Sequence, residues 1–119
     1  MVKPDLTQYI ILRKDLLQLN WNLGSIIAQA CHASSAALIV FINDKNVIDY
    51  TENIQHMTKV ILQIENESLL KNLSNDLHKH NIDHKLWIEQ PENIITCLAT
   101  KPYSKDILRP YFNTLKLYK

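Results

Sequence analysis

The sequence predicts an α/β domain in which helices pack on a layered sheet. Three features support this prediction. Short apolar runs, rich in β-branched residues, alternate along the chain with longer segments of helical period. One segment, residues 22–42, contains no charged side chain and is long enough for a buried helix. Near the end of the chain, two apolar runs are separated by only four residues, which indicates a hairpin.

Residues 8–12 are the first predicted element, a strand. They are mostly apolar and partly β-branched, which is typical of a strand buried on both faces. After a loop or short turn over 16–21, Asn22 is a good N-cap for the long helix, in which alanine and straight-chain residues favour helical structure. Residues 43–46 end the helix because their side chains compete for backbone hydrogen bonds.

The middle of the chain contains a short helix over 47–55 and a strand over 57–64. Asn66 then caps another helix, whose buried face is marked by leucines at helical spacing. These leucines are Leu69, Leu70, Leu73 and Leu77. Asn81 suits the left-handed conformation in which such helices end.

The last third of the chain contains two strands, residues 84–89 and 94–100. They flank a turn whose proline and asparagine lie where β-turns prefer them. A last helix over 105–112 begins after Ser104, a possible cap, and is shortened or kinked by Pro110. The first two strands should be parallel through a right-handed crossover, and the last two antiparallel.

Length and composition indicate one soluble globular domain over residues 1–119. The formal net charge is only +1, so a nucleic-acid partner would be held by local patches rather than by the overall field. Cys31 and Cys97 are expected in the core and make no disulfide framework. Because residues 1–5 also lack the apolar core of a signal peptide, we expect a reducing cytosol. A single glycine excludes P-loop and dinucleotide-fingerprint enzymes, which need several.

The polar residues of the long helix fall on one side. At about 100° per residue, Ser25, Gln29 and His32 lie within an arc of about 60°. A solvent face usually carries Lys and Glu, and this one carries neither. We therefore expect the stripe to line a cleft, with plain surface as the alternative. The same polar residues argue against a membrane span.

Charged residues at the predicted strand ends extend this site. In α/β sheets, ligands bind beyond the carboxyl ends of parallel strands. Arg13, Lys14 and Asp15 follow the first strand and should lie near the start of the long helix, whose free N–H groups attract anions. Glu89, in the hairpin, could face the same crevice. Together with the imidazole of His32, these groups could bind a phosphate-bearing substrate and move a proton.

Two early segments carry a resemblance to a known family. Residues 8–16 (QYIILRKDL) and 24–33 (GSIIAQACHA) resemble the opening of the type 2 peptidyl-tRNA hydrolases, the archaeal and eukaryotic class. Residues 57–60, 84–93 and 96–99 resemble a eukaryotic branch of that family, named only for containing the domain. The resemblance extends over nearly the whole chain.

The resemblance implies a three-layer α/β/α domain with a mixed four-stranded sheet, in which one strand is antiparallel to the rest. It also implies a cytoplasmic enzyme, commonly a homodimer, that hydrolyses the ester joining a stalled peptide to the ribose of tRNA. It implies a reaction that uses no metal, and we expect no cofactor. The residues that match the family pattern are Arg13, Asp15, Gly24, Gln29, His32 and Thr96.

Two positions depart from the family pattern. Ser25 stands where the family has a functionally important lysine, and Glu89 aligns with the family's aspartate, in a loop shortened to residues 90–93. A lost ammonium removes a charge that could hold phosphate or stabilise an oxyanion. Two functions therefore stay open. One is a peptidyl-tRNA hydrolase with a modified site, and the other is an inactive member that binds tRNA or a protein through the old cleft.

The resemblance and the placement of these residues favour attack of water on the ester carbonyl. His32 or Glu89 would be the general base, and Thr96 would position the water. Gln29, one turn before His32, would orient the imidazole or the water. A direct Ser25–His32 pair is disfavoured, because seven residues of helix span about 10 Å and proton transfer needs about 3 Å.

A second cation would have to replace the missing ammonium, and Lys14 and Lys101 are the candidates. Lys101 begins a basic, tyrosine-rich C-terminal segment that could meet an RNA backbone, with a solvated face as the alternative. The catalytic candidates are therefore Ser25, His32, Glu89 and Thr96. The substrate-binding candidates are Arg13, Lys14, Asp15, Gln29 and Lys101.

Overall fold

A computed structural model describes residues 5–119. The expectation about a signal peptide concerned residues 1–5, of which 1–4 lie outside the described part. The helices in the described part are α1 (Leu23–Val40), α2 (Lys45–Glu52), α3 (Glu67–Lys79) and α4 (Lys105–Phe112). The strands are β1 (Leu6–Arg13), β2 (Thr58–Ile64), β3 (His84–Glu89), β4 (Ile94–Thr100) and β5 (Tyr103–Ser104), with 3₁₀ turns at Lys14–Leu16 and Ile54–His56.

These strands form one mixed sheet. Hydrogen-bonded neighbours run in the order β2-β1-β4-β3, and the two-residue β5, which the sequence did not predict, pairs with the start of β1. β1 and β2 are parallel, whereas β4 is antiparallel to both of its neighbours. β4 is therefore the one main strand that opposes the other three, as the resemblance implied.

Helices cover both faces of the sheet. Along β1, Ile10 and Leu12 face α1, while Ile11 faces the layer formed by α3 and α4. All three side chains are at most 4% exposed, so this strand is buried on both faces, as predicted. The three-layer α/β/α architecture is confirmed.

α1 begins where the sequence predicts. The side chain of Asn22 accepts a 2.8 Å hydrogen bond from the N–H of Ser25. By length and composition alone this helix could cross a membrane, and in the fold one of its sides packs on the sheet.

The prediction that Cys31 packs in the core is wrong, because it lies about 100° beyond the buried Ala30, on the solvent side. Cys97 on β4 is buried, as predicted.

Two other predictions need correction. α2 begins at Lys45, earlier than predicted, because Asp44 caps it by accepting a 2.8 Å hydrogen bond from the N–H of Asn46. Leu69 is 44% exposed and is not a core residue, whereas its neighbour Leu70 is fully buried against the sheet. The bounds of β3, β4 and α4 agree with the prediction.

Candidate functional site

A polar cluster lies between α1 and the β3–β4 hairpin. Gln29 projects from α1, Glu89 ends β3, and Thr96 lies on β4. Gln29 Nε2 donates to Glu89 Oε2 at 3.0 Å, and Thr96 Oγ1 donates to Gln29 Oε1 at 2.7 Å. Three residues that the sequence assigned to one site are therefore joined in one hydrogen-bonded chain.

The chemistry of the partners fixes the orientation of the Gln29 amide. Nε2 also donates to the backbone oxygen of Ser25, at 3.2 Å. A carbonyl and an ionised carboxylate only accept hydrogen bonds, so both must face the amide NH₂. The amide oxygen then faces Thr96, whose hydroxyl must donate. The Gln29 amide therefore hydrogen-bonds to Ser25, Glu89 and Thr96. The prediction that it orients the imidazole of His32 is wrong.

Thr96 occupies a β-bulge in β4. Trp87 on β3 pairs with Cys97, whereas the next residue, Ile88, pairs with Ile95, so Thr96 is an extra residue on β4. Bulges re-aim side chains and are frequent beside active sites. Thr96 is fully buried, and the bulge directs its hydroxyl at Gln29. Its hydroxyl donates to Gln29 and has no access to solvent. The prediction that Thr96 itself positions the attacking water is therefore wrong, and Thr96 acts on the site through Gln29.

Arg13 and Glu67 hold the backbone of this bulge. Arg13 Nη1 donates to the carbonyl of Ile95 at 2.9 Å, and the N–H of Ile95 donates to Glu67 Oε2 at 2.8 Å. Asp15 accepts from Arg13 Nε and Nη2, each at 2.9 Å. The guanidinium is buried and occupied by these groups, so the structure places Arg13 and Asp15 behind the polar cluster, where they support it.

On the open side of the cluster lies an aromatic pair. The imidazole of His32 stacks on the indole of Trp87, with ring centroids 4.7 Å apart and planes 11° apart. Trp87 Nε1 donates to Glu89 Oε1 at 3.1 Å. The stripe predicted on α1 therefore extends from buried Gln29 to exposed His32, with Ser25 half-buried.

Trp87 is a site residue that the sequence reasoning missed. The available signal was its spacing, since residues two apart on a strand share a face and Trp87 precedes Glu89 by two. A tryptophan on a predicted strand is usually core, and this one does pack partly against the α1 core. Its contact with His32 joins two elements that are distant in sequence, α1 and β3, so the local sequence does not reveal it.

The surroundings of Glu89 favour its ionised form. The hydrogen bond from Gln29 is the main cause that lowers the pKa of Glu89 below its ordinary value, and the indole of Trp87 and the nearby charge of His32 act in the same direction. Partial burial opposes them and does not prevail. Glu89 is therefore a carboxylate at neutral pH, held in place by two neutral donors.

Lys101 does not reach this cluster. Its ammonium contacts Asp44 and Asp83, at 2.7 and 2.8 Å. Asp83 lies six residues before Glu89 along β3, about 20 Å away at about 3.3 Å per residue. The prediction that Lys101 replaces the missing ammonium is therefore wrong, because Lys101 follows the end of β4 that pairs with the start of β3, whereas Glu89 lies at the other end of β3.

Lys14 points towards the β2 side of the sheet. Its ammonium donates to the backbone oxygen of Lys119 and lies 4.8 Å from the ring centroid of Tyr118. This C-terminal tail runs beside β2, where Leu117 forms an antiparallel bridge with Leu62. Since β1 and β4 separate β2 from β3, Lys14 does not supply a charge beside Glu89 either.

Two further observations limit the site. A cavity of about 710 Å³ lies at the start of β1, lined by residues that include Thr7, Tyr50 and Ser104, and it is remote from the polar cluster. Within residues 5–119, no group of three or more His, Cys, Asp or Glu side chains could hold a metal ion.

Comparison with known proteins identifies the family to which this fold belongs. A family model described as peptidyl-tRNA hydrolase PTH2 matches residues 6–118. The Mus musculus protein named "Putative peptidyl-tRNA hydrolase PTRHD1" is 44% identical over 121 residues, covering 99% of this chain and 86% of the relative. The Homo sapiens protein of the same name is 44% identical over 116 residues, covering 96% and 83%.

Proposed function

Because this chain belongs to the peptidyl-tRNA hydrolase PTH2 family, we propose that it hydrolyses the ester between the peptide and the tRNA of peptidyl-tRNA. One observation carries the proposal. The Thr96–Gln29–Glu89 hydrogen-bonded chain continues from Glu89 to the indole of Trp87, on which the exposed imidazole of His32 stacks. A fixed carboxylate next to an accessible imidazole is an arrangement that can activate water.

The roles of the two groups follow from their surroundings. A general base works best when its pKa lies near the working pH, and the pKa of Glu89 is lowered. Imidazole is the side chain that ordinarily changes charge nearest neutrality. We therefore assign the base to His32, and to Glu89, whose charge interacts with that of His32, the electrostatic stabilisation of the imidazolium that forms.

The proposed reaction needs only water as co-substrate. The water oxygen attacks the ester carbonyl carbon while one of its protons passes to the His32 ring. The tetrahedral intermediate then breaks its bond to the ribose oxygen, which leaves with the proton returned by the imidazolium. The products are a tRNA with a free hydroxyl and a peptide carboxylic acid, which releases its remaining proton to solvent to become the carboxylate.

Thr96 and Gln29 act as positioning residues in this scheme. The Thr96 hydroxyl fixes the orientation of the Gln29 amide. The amide in turn holds the Glu89 carboxylate in place and lowers its pKa, which favours the ionised form. Ser25, in the first turn of α1, offers a hydroxyl where the family has an ammonium. A neutral donor stabilises a developing oxyanion less than a cation does, so we propose a slow enzyme.

Cleavage of a purified, N-blocked aminoacyl-tRNA, followed on an acid gel, tests this proposal. His32→Ala and Glu89→Gln should each lower the rate by about 100-fold or more, which is the usual contribution of acid–base catalysis. Cys31→Ala and Glu92→Gln are matched controls, because both side chains are exposed neighbours outside the cluster, and they should keep the wild-type rate. Unchanged turnover in both site variants would refute the mechanism.

An alternative function, binding without catalysis, is supported by two observations. Ser25 replaces the family's lysine, and the charged groups of Arg13, Lys14 and Lys101 are paired with other groups of the protein. If none of the three cations assigned to the substrate, Arg13, Lys14 and Lys101, supplies a charge at the cluster, the chain would act as an inactive module that binds tRNA or a protein. Salt-dependent binding of tRNA by the wild-type protein without any cleavage would favour this alternative.

We also propose that the protein works in the cytoplasm as a homodimer. α1 exposes apolar side chains that include Leu23 and Ile27, which are one helical turn apart, and neighbouring exposed apolar side chains commonly mark interaction surfaces. Light scattering over a range of concentrations tests the assembly. A measured mass of 13.9 kDa, which is that of one chain, at every concentration would contradict a dimer.

A further inference from the structure

The His32–Trp87 pair has one free aromatic face. One side of the imidazole rests on the indole, at a centroid distance of 4.7 Å and an interplanar angle of 11°. His32 as a whole is exposed, so the other side of its ring faces solvent. Trp87 is half-buried and tied to Glu89 by its N–H, which holds the stack in a fixed orientation.

A flat ring supported from behind is a good surface for a nucleobase. Proteins recognise unstacked bases of single-stranded RNA ends by stacking them on aromatic side chains, histidine among them. Such stacking contributes about 1–3 kcal/mol per base. It needs no hydrogen-bond readout, because every base has a π-face.

The cations that the sequence assigned to the substrate are unavailable for phosphate binding at this point. The Arg13 guanidinium is occupied by Asp15 and the Ile95 carbonyl. The ammonium of Lys14 contacts the C-terminal tail beside β2, and that of Lys101 lies at the far end of the β3–β4 pair from Glu89. Contact with a nucleic acid beside Glu89 must therefore rely on something other than these charges.

We propose that the outer face of His32, supported by Trp87, binds the terminal adenine of the tRNA acceptor end. This inference rests on the proposed function, because the ester to be cleaved is carried by the ribose of that same terminal nucleotide. Stacking uses the face of the imidazole, while its nitrogens lie on the edge and stay free to exchange a proton.

Fluorescence provides a readout that is independent of hydrolysis. The chain has two tryptophans, so Trp21→Phe leaves Trp87 as the reporter. Trp21 packs partly against the α1 core, and thermal unfolding checks that the variant is folded. The probe is a short single-stranded RNA ending in CCA with a free hydroxyl, compared with the same RNA carrying an abasic last residue.

The adenine-ended RNA should quench Trp87 fluorescence and bind about 5- to 150-fold more tightly than the abasic RNA. His32→Leu should remove this difference, whereas His32→Phe, which keeps a flat ring, should retain most of it. The difference between the two RNAs should change little with salt, because their phosphates are nearly the same. Equal binding of the two RNAs by the folded protein would overturn the proposal without requiring any variant at His32.

Parallel cleavage assays separate this inference from the proposed function. If the protein discriminates the two RNAs through His32 but does not cleave peptidyl-tRNA, the stacking site stands and hydrolysis fails. If it cleaves peptidyl-tRNA and His32→Leu binds both RNAs as the wild type does, hydrolysis stands and the stacking site fails.

Discussion

The side-chain amide of Gln29 and the carboxylate of Glu89 are joined by a 3.0 Å hydrogen bond across 60 residues of sequence. Gln29 is 1% exposed, so its amide cannot exchange these partners for water. The buried amide therefore determines both the position and the ionisation of the carboxylate at the surface.

Gln29→Leu should raise the pKa of Glu89, because the Gln29 hydrogen bond is the main cause that lowers it. It should also cost about 1–3 kcal/mol of stability, because the buried Thr96 hydroxyl loses its partner. NMR titration of the Glu89 carboxyl and urea unfolding measure the two effects.

The control for this experiment is the double variant Gln29→Leu, Thr96→Val. Replacing both partners by apolar groups of similar shape removes the unsatisfied hydroxyl. The double variant should therefore be more stable than Gln29→Leu alone. If the second substitution lowered the free energy of unfolding further, Thr96 would have another buried partner.

Arg13→Met tests whether Arg13 supports the β4 bulge. The variant leaves Asp15 without its bidentate partner and the Ile95 carbonyl without a donor, so stability should fall by about 3–5 kcal/mol. Arg109→Met is the control, since the Arg109–Asp106 pair is 68% and 79% exposed and should contribute about 0–1 kcal/mol. Chemical denaturation compares the two. Equal losses would contradict a structural role for Arg13.

Local signals explain why the elements could be predicted. Asn22 and Asn66 cap α1 and α3 through their own side chains, and Asn81 has a φ of 59° where α3 has ended. Each signal acts within three residues of its position and can be read without knowing the tertiary structure. The strands β3 and β4 were similarly bounded by the turn between them.

The site could be predicted only in part, because its contacts depend on register. The family pattern and helical spacing grouped Gln29 with Glu89 and Thr96. The bulge at Thr96 arises from pairing with β3, and nothing in the local sequence marks it. The ion pairs of Lys101 join it to residues 57 and 18 positions away, and a basic residue in a basic segment gives no sign of such partners.

A pH effect on stability should arise at His84, outside the site. Its Nδ1 contacts the Ile82 carbonyl at 2.9 Å, so that nitrogen must carry the hydrogen. Its Nε2 then accepts from the Ser74 hydroxyl at 2.7 Å. Burial is the main cause that lowers the pKa of His84 below 6.5, so the neutral ring is the form the fold prefers.

Proton binding at His84 makes the folded protein less stable at low pH. Below pH 6.5 the unfolded chain binds a proton at this position and the folded chain does not, so the free energy of unfolding declines as the pH falls from 6.5 towards the folded pKa. Urea unfolding of wild type between about pH 5 and 8 should show this decline, and His84→Leu should show a smaller one. His56→Leu, at an exposed position, should keep the wild-type slope, and equal slopes in all three proteins would refute the assignment.

Lys101→Met should reduce stability and leave catalysis per folded molecule unchanged. Two carboxylates, Asp44 and Asp83, lose their shared cation. The cost should exceed the about 0–1 kcal/mol of an exposed pair and stay below the about 3–5 kcal/mol of a fully buried one. Lys45→Met, at an 85% exposed lysine paired with Asp49, is the control. Lost activity at unchanged stability would instead place Lys101 in contact with substrate.

Ser25→Lys tests whether the site has lost a charge that its geometry can still use. Ser25 is half-buried in the first turn of α1, and its carbonyl accepts from the same amide that holds Glu89. An ammonium there would stabilise the oxyanion formed when water attacks the ester, and one such donor contributes about 100- to 1,000-fold in rate. A rise of that order in single-turnover cleavage of peptidyl-tRNA is the expected result.

Two controls separate charge from side-chain length and from general attraction of tRNA. Ser25→Met supplies a long neutral side chain at the same position and should leave the rate low. Ser35→Lys adds the same charge at an exposed position of α1 and should tighten tRNA binding without raising the rate of the bound complex. A rate that rises equally for Ser25→Lys and Ser35→Lys would mean that the added charge acts on binding alone. In that case, the replacement of lysine by Ser25 would not be the cause of slow catalysis.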